Sequence, residues 1–272
     1  MRDALVYEWY RVTSIRSTYW LVGLTWLFTL AVSAVVAWQL PESGPLAGGR
    51  EPLSLLVTFG ASTGIPPLFT AYMVGIVGVF AMGHEYRHGM VRATLTSVRG
   101  RHRVLLAKLA VVALVAVLTT LGCAVISVVV GLSFGVDLPI DGFLWGLVLA
   151  LVIYTVLFSW AGVAFAAIVR NQTAAVAMLV LIPTLVEQIV RAVVLAIKAA
   201  SGDPQGQGGI TVILRYLPFD AGGQMYTRTS INQLFQFLGY RPFGPVGGGI
   251  VFAVFVALLL ALAAWLFSRR DA

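Results

Sequence analysis

The sequence predicts an all-α membrane protein: six transmembrane helices, an amphipathic interfacial helix before them, and an outer re-entrant or interfacial segment between spans five and six. Three observations predict it. Hydrophobic residues make up 59% of the 272 and charged residues only 11%, against roughly 25% charged in soluble domains. So few charges cannot coat a water-facing surface, which excludes an ordinary cytosolic enzyme and a disordered chain. Charge-free stretches at 17–41, 52–83, 109–136, 142–169 and 242–268 are each long enough for a bilayer core that takes ~20 residues to cross. A sixth stretch runs from Asn171 to about Ala200, broken only by Glu187, Arg191 and Lys198.

The first 18 residues read as an interfacial elbow helix. Leu5, Trp9, Val12, Ile15 and Tyr19 recur every three or four positions, with Arg2, Glu8, Arg11 and Arg16 largely on other faces. Ala31-Val32-Ser33 would pass as a signal-peptidase site. However, the preceding segment is too long, contains Asp3 and Glu8, and the apolar run continues through Trp38. The first span is therefore expected to stay. The remaining 19–272 form the transmembrane domain, with spans near 20–40, 65–83, 109–132, 143–168, 173–195 and 247–267. Six spans put both termini on one side.

Basic residues choose that side. Arg2, Arg11 and Arg16, then Arg87, Arg92, Arg99, Arg101, Arg103 and Lys108 in the second loop, then Arg170, Arg269 and Arg270 all fall together, twelve of the eighteen Lys and Arg. The positive-inside rule makes that side cytoplasmic. The outer loop, 200–246, opens with the turn-rich Ser201–Gly209 and then becomes apolar and aromatic at 210–219 and 231–240. That pattern suits short helices capping the bundle rather than a polar linker. Within span five, Pro183 is expected to kink or break the helix. Glu187 and Arg191, one turn apart, are expected to offset each other's burial.

Three motifs bear on chemistry. His84-Glu85-Tyr86-Arg87-His88 matches H-E-x-x-H, the zinc-protease pattern of two His ligands and a Glu base. Zinc also needs a third protein ligand. The only other histidine is His102, and the surrounding arginines repel a dication, so no metal is expected; His84 and His88 carry the alternative reading, a membrane zinc metalloprotease. Gly131-Leu132-Ser133-Phe134-Gly135 matches the G-x-S-x-G elbow. It ends an apolar helix with no histidine downstream, so small residues closing a helix explain it. A Walker A loop is absent, since neither lysine, Lys108 nor Lys198, is followed by Ser or Thr. The lone Cys123 can close no internal disulfide.

The segment from Gly83 to Lys108 resembles the loop between spans two and three of ABC-2 type transporter permeases. Glu85, Tyr86, Gly89, Arg92, Leu95, Thr96, Arg101 and Lys108 occupy the family's acid–aromatic, Gly, basic-x-x-Leu, Arg and Lys places. Arg215–Ala221 is similar to that family's outer segment. The resemblance implies a permease that holds no cofactor itself, with ATP and Mg in a partner subunit, two copies of that ATP-binding subunit, a second permease, identical or homologous, and no nucleic acid. It implies a short coupling helix from Glu85 to about Ser97, with Glu85, Tyr86, Gly89, Arg92, Leu95, Thr96 and Arg101 meeting the ATPase. It also places spans two and five along the path, making Phe69, Tyr72, Met73, Met178 and Ile182 lining residues, and Pro183, Glu187, Arg191 and Pro218 an outer gate. The expected location is a bacterial cell membrane, and the expected activity is export of an amphipathic or hydrophobic substrate. A non-catalytic membrane anchor needing no ATPase is the third reading.

Overall fold

The computed structural model describes residues 2–39, 56–58, 69–87, 101–136, 138, 140–200, 209–226 and 242–269. Among these, regular structure is helical throughout: α1 (Arg2–Ser14), α2 (Arg16–Gln39), α3 (Phe69–Arg87), α4 (Arg101–Ser133), α5 (Gly142–Val169), α6 (Gln172–Leu181), a π-turn (Ile182–Val186), α7 (Glu187–Ala200), a 3-10 segment (Gly209–Tyr216), α8 (Pro218–Gly223) and α9 (Gly244–Arg269). Five helical stretches are long and apolar enough to cross a membrane: Arg16–Gln39, Arg103–Ser133, Gly142–Val169, Gln172–Lys198 and Gly244–Phe267. The expected second span corresponds to α3, whose described 19 residues close on the polar His84-Glu85-Tyr86-Arg87 and which is not among the five.

Side-chain placement is the reverse of a soluble bundle. On α2 the buried stripe is Thr18, Thr25, Thr29, Ser33 and Ala37, while Trp20, Leu27, Leu30 and Trp38 point outward. The small hydroxyl residues face α4. Trp26 Nε1 donates to the Thr119 carbonyl at 3.2 Å, Thr29 Oγ1 to Cys123 Sγ at 3.2 Å, and Ser33 and Ser127 share a hydrogen bond of 3.0 Å. Where the surroundings are as apolar as leucine, close packing and such hydrogen bonds hold helices together, not the hydrophobic effect.

Helix α5 is the centre of the bundle, packed by α3, α4, α6 and α9, with Tyr154 and Phe158 fully enclosed. Its contact with α3 is backbone to backbone. A Cβ on Gly78 would stand 2.2 Å from the Ser159 carbonyl oxygen, and one on Gly162 2.4 Å from that of Gly75. No side chain fits there. Asp141 caps α5, accepting from the N–H of Phe143 at 2.9 Å and of Leu144 at 3.4 Å.

The G-x-S-x-G match ends α4, as expected. Ser133 Oγ donates to the Val129 carbonyl of its own helix at 2.7 Å. Gly135, at φ 75°, lets Val136 N donate to the Gly131 carbonyl and Gly135 N to that of Leu132, a Schellman closure.

The outer segment folds back onto the bundle. Phe219 of α8 is buried, its ring 5.4 Å from those of Phe158 and Phe252 and 5.7 Å from that of Phe255. Gly248 admits α8 against α9, since a Cβ there would lie 2.1 Å from the Ala221 carbonyl oxygen. Residues 231–240, the second apolar part of the expected outer loop, lie outside the described residues.

Candidate functional site

Two groups of buried charge interrupt the apolar interior. The first sits where α3 ends and α4 begins. Glu85 is in the last turn of α3, Lys108 is two turns into α4, and Glu8 and Arg11 lie one turn apart on α1. Lys108 Nζ donates to Glu8 Oε1 at 2.7 Å and also pairs with Glu85. Arg11 pairs with Glu85 at 2.9 Å and with Glu8 at 2.7 Å. Both cations also reach the carbonyl of Ala81, Lys108 at 3.2 Å. Two carboxylates and two cations from three helices thus close a ring. Burying these charges is tolerated because each has an opposite partner.

This ring revises two expectations. Helix α1 turns Ala4, Glu8 and Val12 inward, with Arg11 beside them, and exposes Tyr7, Trp9 and Tyr10. The charged face, expected to lie off the apolar stripe, is thus partly the packed one, because its charges have partners on α3 and α4. Glu85, expected to meet an ATPase directly, is 1% exposed in this chain alone. It belongs to the continuous α3, not to a separate helix beginning there, and it faces the ring. Glu85 and Lys108 stand at the two ends of the 84–108 loop, so their pairing closes the loop's neck. The signal for Glu8 was present in the sequence: like Glu85 it is an acid among bases that the positive-inside rule leaves unexplained.

Of the other coupling residues, Tyr86 is half-buried, with the Arg170 guanidinium 5.7 Å from its ring centroid. Arg101 opens α4. Gly89, Arg92, Leu95 and Thr96 lie outside the described residues, as does His88. The His84 ring leans on Phe80 at 4.9 Å, while Glu85 turns to Arg11 and Lys108. A zinc-protease base would need that carboxylate for water. Among the described residues no group of three or more His, Cys, Asp or Glu gathers for a metal.

The second group lies toward the opposite end. Pro183 falls in the π-turn, so span five is wound differently there, as the proline predicts. Glu187 follows, and its two carboxylate oxygens accept from the N–H of Phe219 and of Asp220, both at 2.9 Å. Pro218 occupies the first turn of α8, and Leu217 before it offers no side-chain cap, so a carboxylate from another helix caps α8 instead. Arg191 pairs with Asp220. Arg191 and Asp220 thus form the ion pair, and Glu187 meets the α8 amides.

The expected lining residues divide between two packed faces. Phe69 lies against Phe28 of α2 at 4.1 Å, whereas Tyr72 stands edge-on to Phe158 of α5 at 5.4 Å. Met178 and Ile182 pack partly buried against the core, and Met73 is half-buried.

Residues 49–266, most of the chain, match the family described as ABC-2 family transporter protein. No curated protein matches the chain.

Proposed function

The chain belongs to the ABC-2 family of transporter proteins, and from that premise we propose that it is a six-span permease subunit driven through its 84–108 loop by a separate ATP-binding subunit. It lies in a bacterial cell membrane with both termini in the cytoplasm. It pairs with a second permease, identical or homologous, and with two ATP-binding subunits that hold ATP and Mg. Its cargo is amphipathic or hydrophobic and moves outward.

The observation that best supports this reading is the closed neck of the loop. A push on an unbraced loop would be absorbed by bending. Here Glu85 and Lys108 pair across α3 and α4, while from α1 Glu8 binds Lys108 and Arg11 binds Glu85. A displacement of the loop is therefore handed to α1, α3 and α4 together as a rigid-body movement. Glu85 acts as a positioning residue, and the contact with the partner falls to the loop beyond it, where Tyr86, Gly89, Arg92, Leu95, Thr96 and Arg101 belong. Nucleotide drives the movement only by binding one state more tightly than the other. At the far end Pro183, Glu187, Arg191 and Pro218 form the outer gate, and Phe69, Tyr72, Met73, Met178 and Ile182 face the path when the spans part.

The test is to purify the chain with its ATP-binding subunit, reconstitute both in lipid vesicles and measure ATP turnover and zinc content. Turnover should depend on the permease, and Glu85→Ala should uncouple it while the subunits still co-purify. One zinc per chain with peptide cleavage by the chain alone would sink the proposal in favour of the protease. Full activity without any ATPase would sink it as well.

A further inference from the structure

Beside Tyr86 a groove of about 840 Å³ runs along the start of span five, within the size range of small-molecule sites. Its mouth is polar, made by Tyr86, Arg170 and Gln172, and its wall is apolar, made by Val176, Val180 and Leu181. We propose that this groove binds an anionic phospholipid, its phosphate at Arg170 and one acyl chain along α6.

Three observations converge on that occupant. Arg170 has φ 57°, the one positive value at a non-glycine among the described residues, a conformation that favours glycine. The turn between α5 and α6 is thus made by a residue the backbone does not ask for, and its guanidinium is held over the Tyr86 ring at the groove's mouth. The N-terminus of α6 opens at the same place, adding its positive dipole end. The sequence has no Asp or Glu between Glu85 and Asp137 or between Asp141 and Glu187, so no acid from these segments opposes an anion.

Length selects a lipid over a free anion. Ten helical residues, Gln172–Leu181, rise about 15 Å, half of a hydrocarbon core ~30 Å thick. The groove is therefore one leaflet deep and stops at the π-turn. That the leaflet is the cytoplasmic one rests on the orientation proposed above; the binding itself does not.

The purified full chain, without any ATP-binding subunit, can be analysed by native mass spectrometry in detergent containing equal phosphatidylglycerol and phosphatidylcholine of matched chains. The chain should retain phosphatidylglycerol about fivefold over phosphatidylcholine, the size of one basic-residue contact. Arg170→Gly should abolish that preference. Because glycine suits the left-handed turn, its thermal midpoint should hold or rise, so misfolding cannot explain the loss. Arg103→Gln, which removes an exposed charge from the start of α4, should change nothing. Ala177→Trp, which fills the groove, should lower retention of both lipids. Equal retention of the two lipids by the unaltered chain would overturn the proposal, as would equal losses in Arg170→Gly and Arg103→Gln. Because no ATP is used, a failure here leaves the permease reading untouched, and loss of ATP coupling leaves this result standing.

Discussion

At the loop's neck, four charged side chains from three helices answer one another. At the far end, one carboxylate answers two backbone N–H groups and one arginine answers one aspartate. The neck ring ties together α1, α3 and α4, and its charges are met chiefly by one another. The far group completes a short helix, α8, which supplies no cap of its own. Charge is thus used to brace one helix against another at one end and to cap a short helix at the other.

The largest effect should come from Lys108→Met, which leaves Glu8 and Glu85 buried with only Arg11 between them. Removing one partner of a buried pair costs about 3–5 kcal/mol, so the thermal unfolding midpoint in detergent should fall furthest here. Adding Glu85→Gln should recover part of the loss, as coupled neighbours do in a double-mutant cycle. Next comes Arg11→Ala, at about 1.5–3 kcal/mol for hydrogen bonds to charged groups, with α1 amides losing protection from hydrogen exchange while α8 keeps it. Glu187→Gln should be milder, about 1 kcal/mol, because the amide oxygen still accepts from one N–H. Its exchange signature should be the converse, with residues 209–226 opening and α1 unchanged. If both variants loosened both ends, the two groups would be one network and the contrast would fail. Asp141→Ala serves as the reference for a simple cap, at about 1 kcal/mol or less, with both ends keeping their protection.

Five of the expected spans were legible because a helix surrounded by hydrocarbon must be apolar on every side, a property any window along the sequence can sense. The π-turn was legible through Pro183, which cannot continue an ordinary helix. The orientation of α1 was not. Its apolar periodicity was real, but Glu8 and Arg11 read only as lying off the apolar stripe, because their partners lie 74 to 100 positions away and no local pattern reports such a distance. Glu85 stood out in the sequence as an acid among bases, but its partners Arg11 and Lys108 lie on other helices. The pairing of Asp220 with Arg191 was not legible, because a short helix folded back onto the bundle leaves only a turn-rich, aromatic stretch in the sequence.

The π-turn between α6 and α7 has a consequence for geometry. One added residue in an otherwise α-helical rod rotates everything beyond it by about 100° around the axis. The rotation lets span five present Leu181, Leu185 and Val186 outward and, one position later, turn Glu187 inward onto α8. Deleting Thr184 would unwind that offset, swing the carboxylate toward the outside and strand the N–H groups of Phe219 and Asp220. The position of the far closure is therefore set by a count of residues in the rod, and winding or unwinding a single turn would be enough to release it.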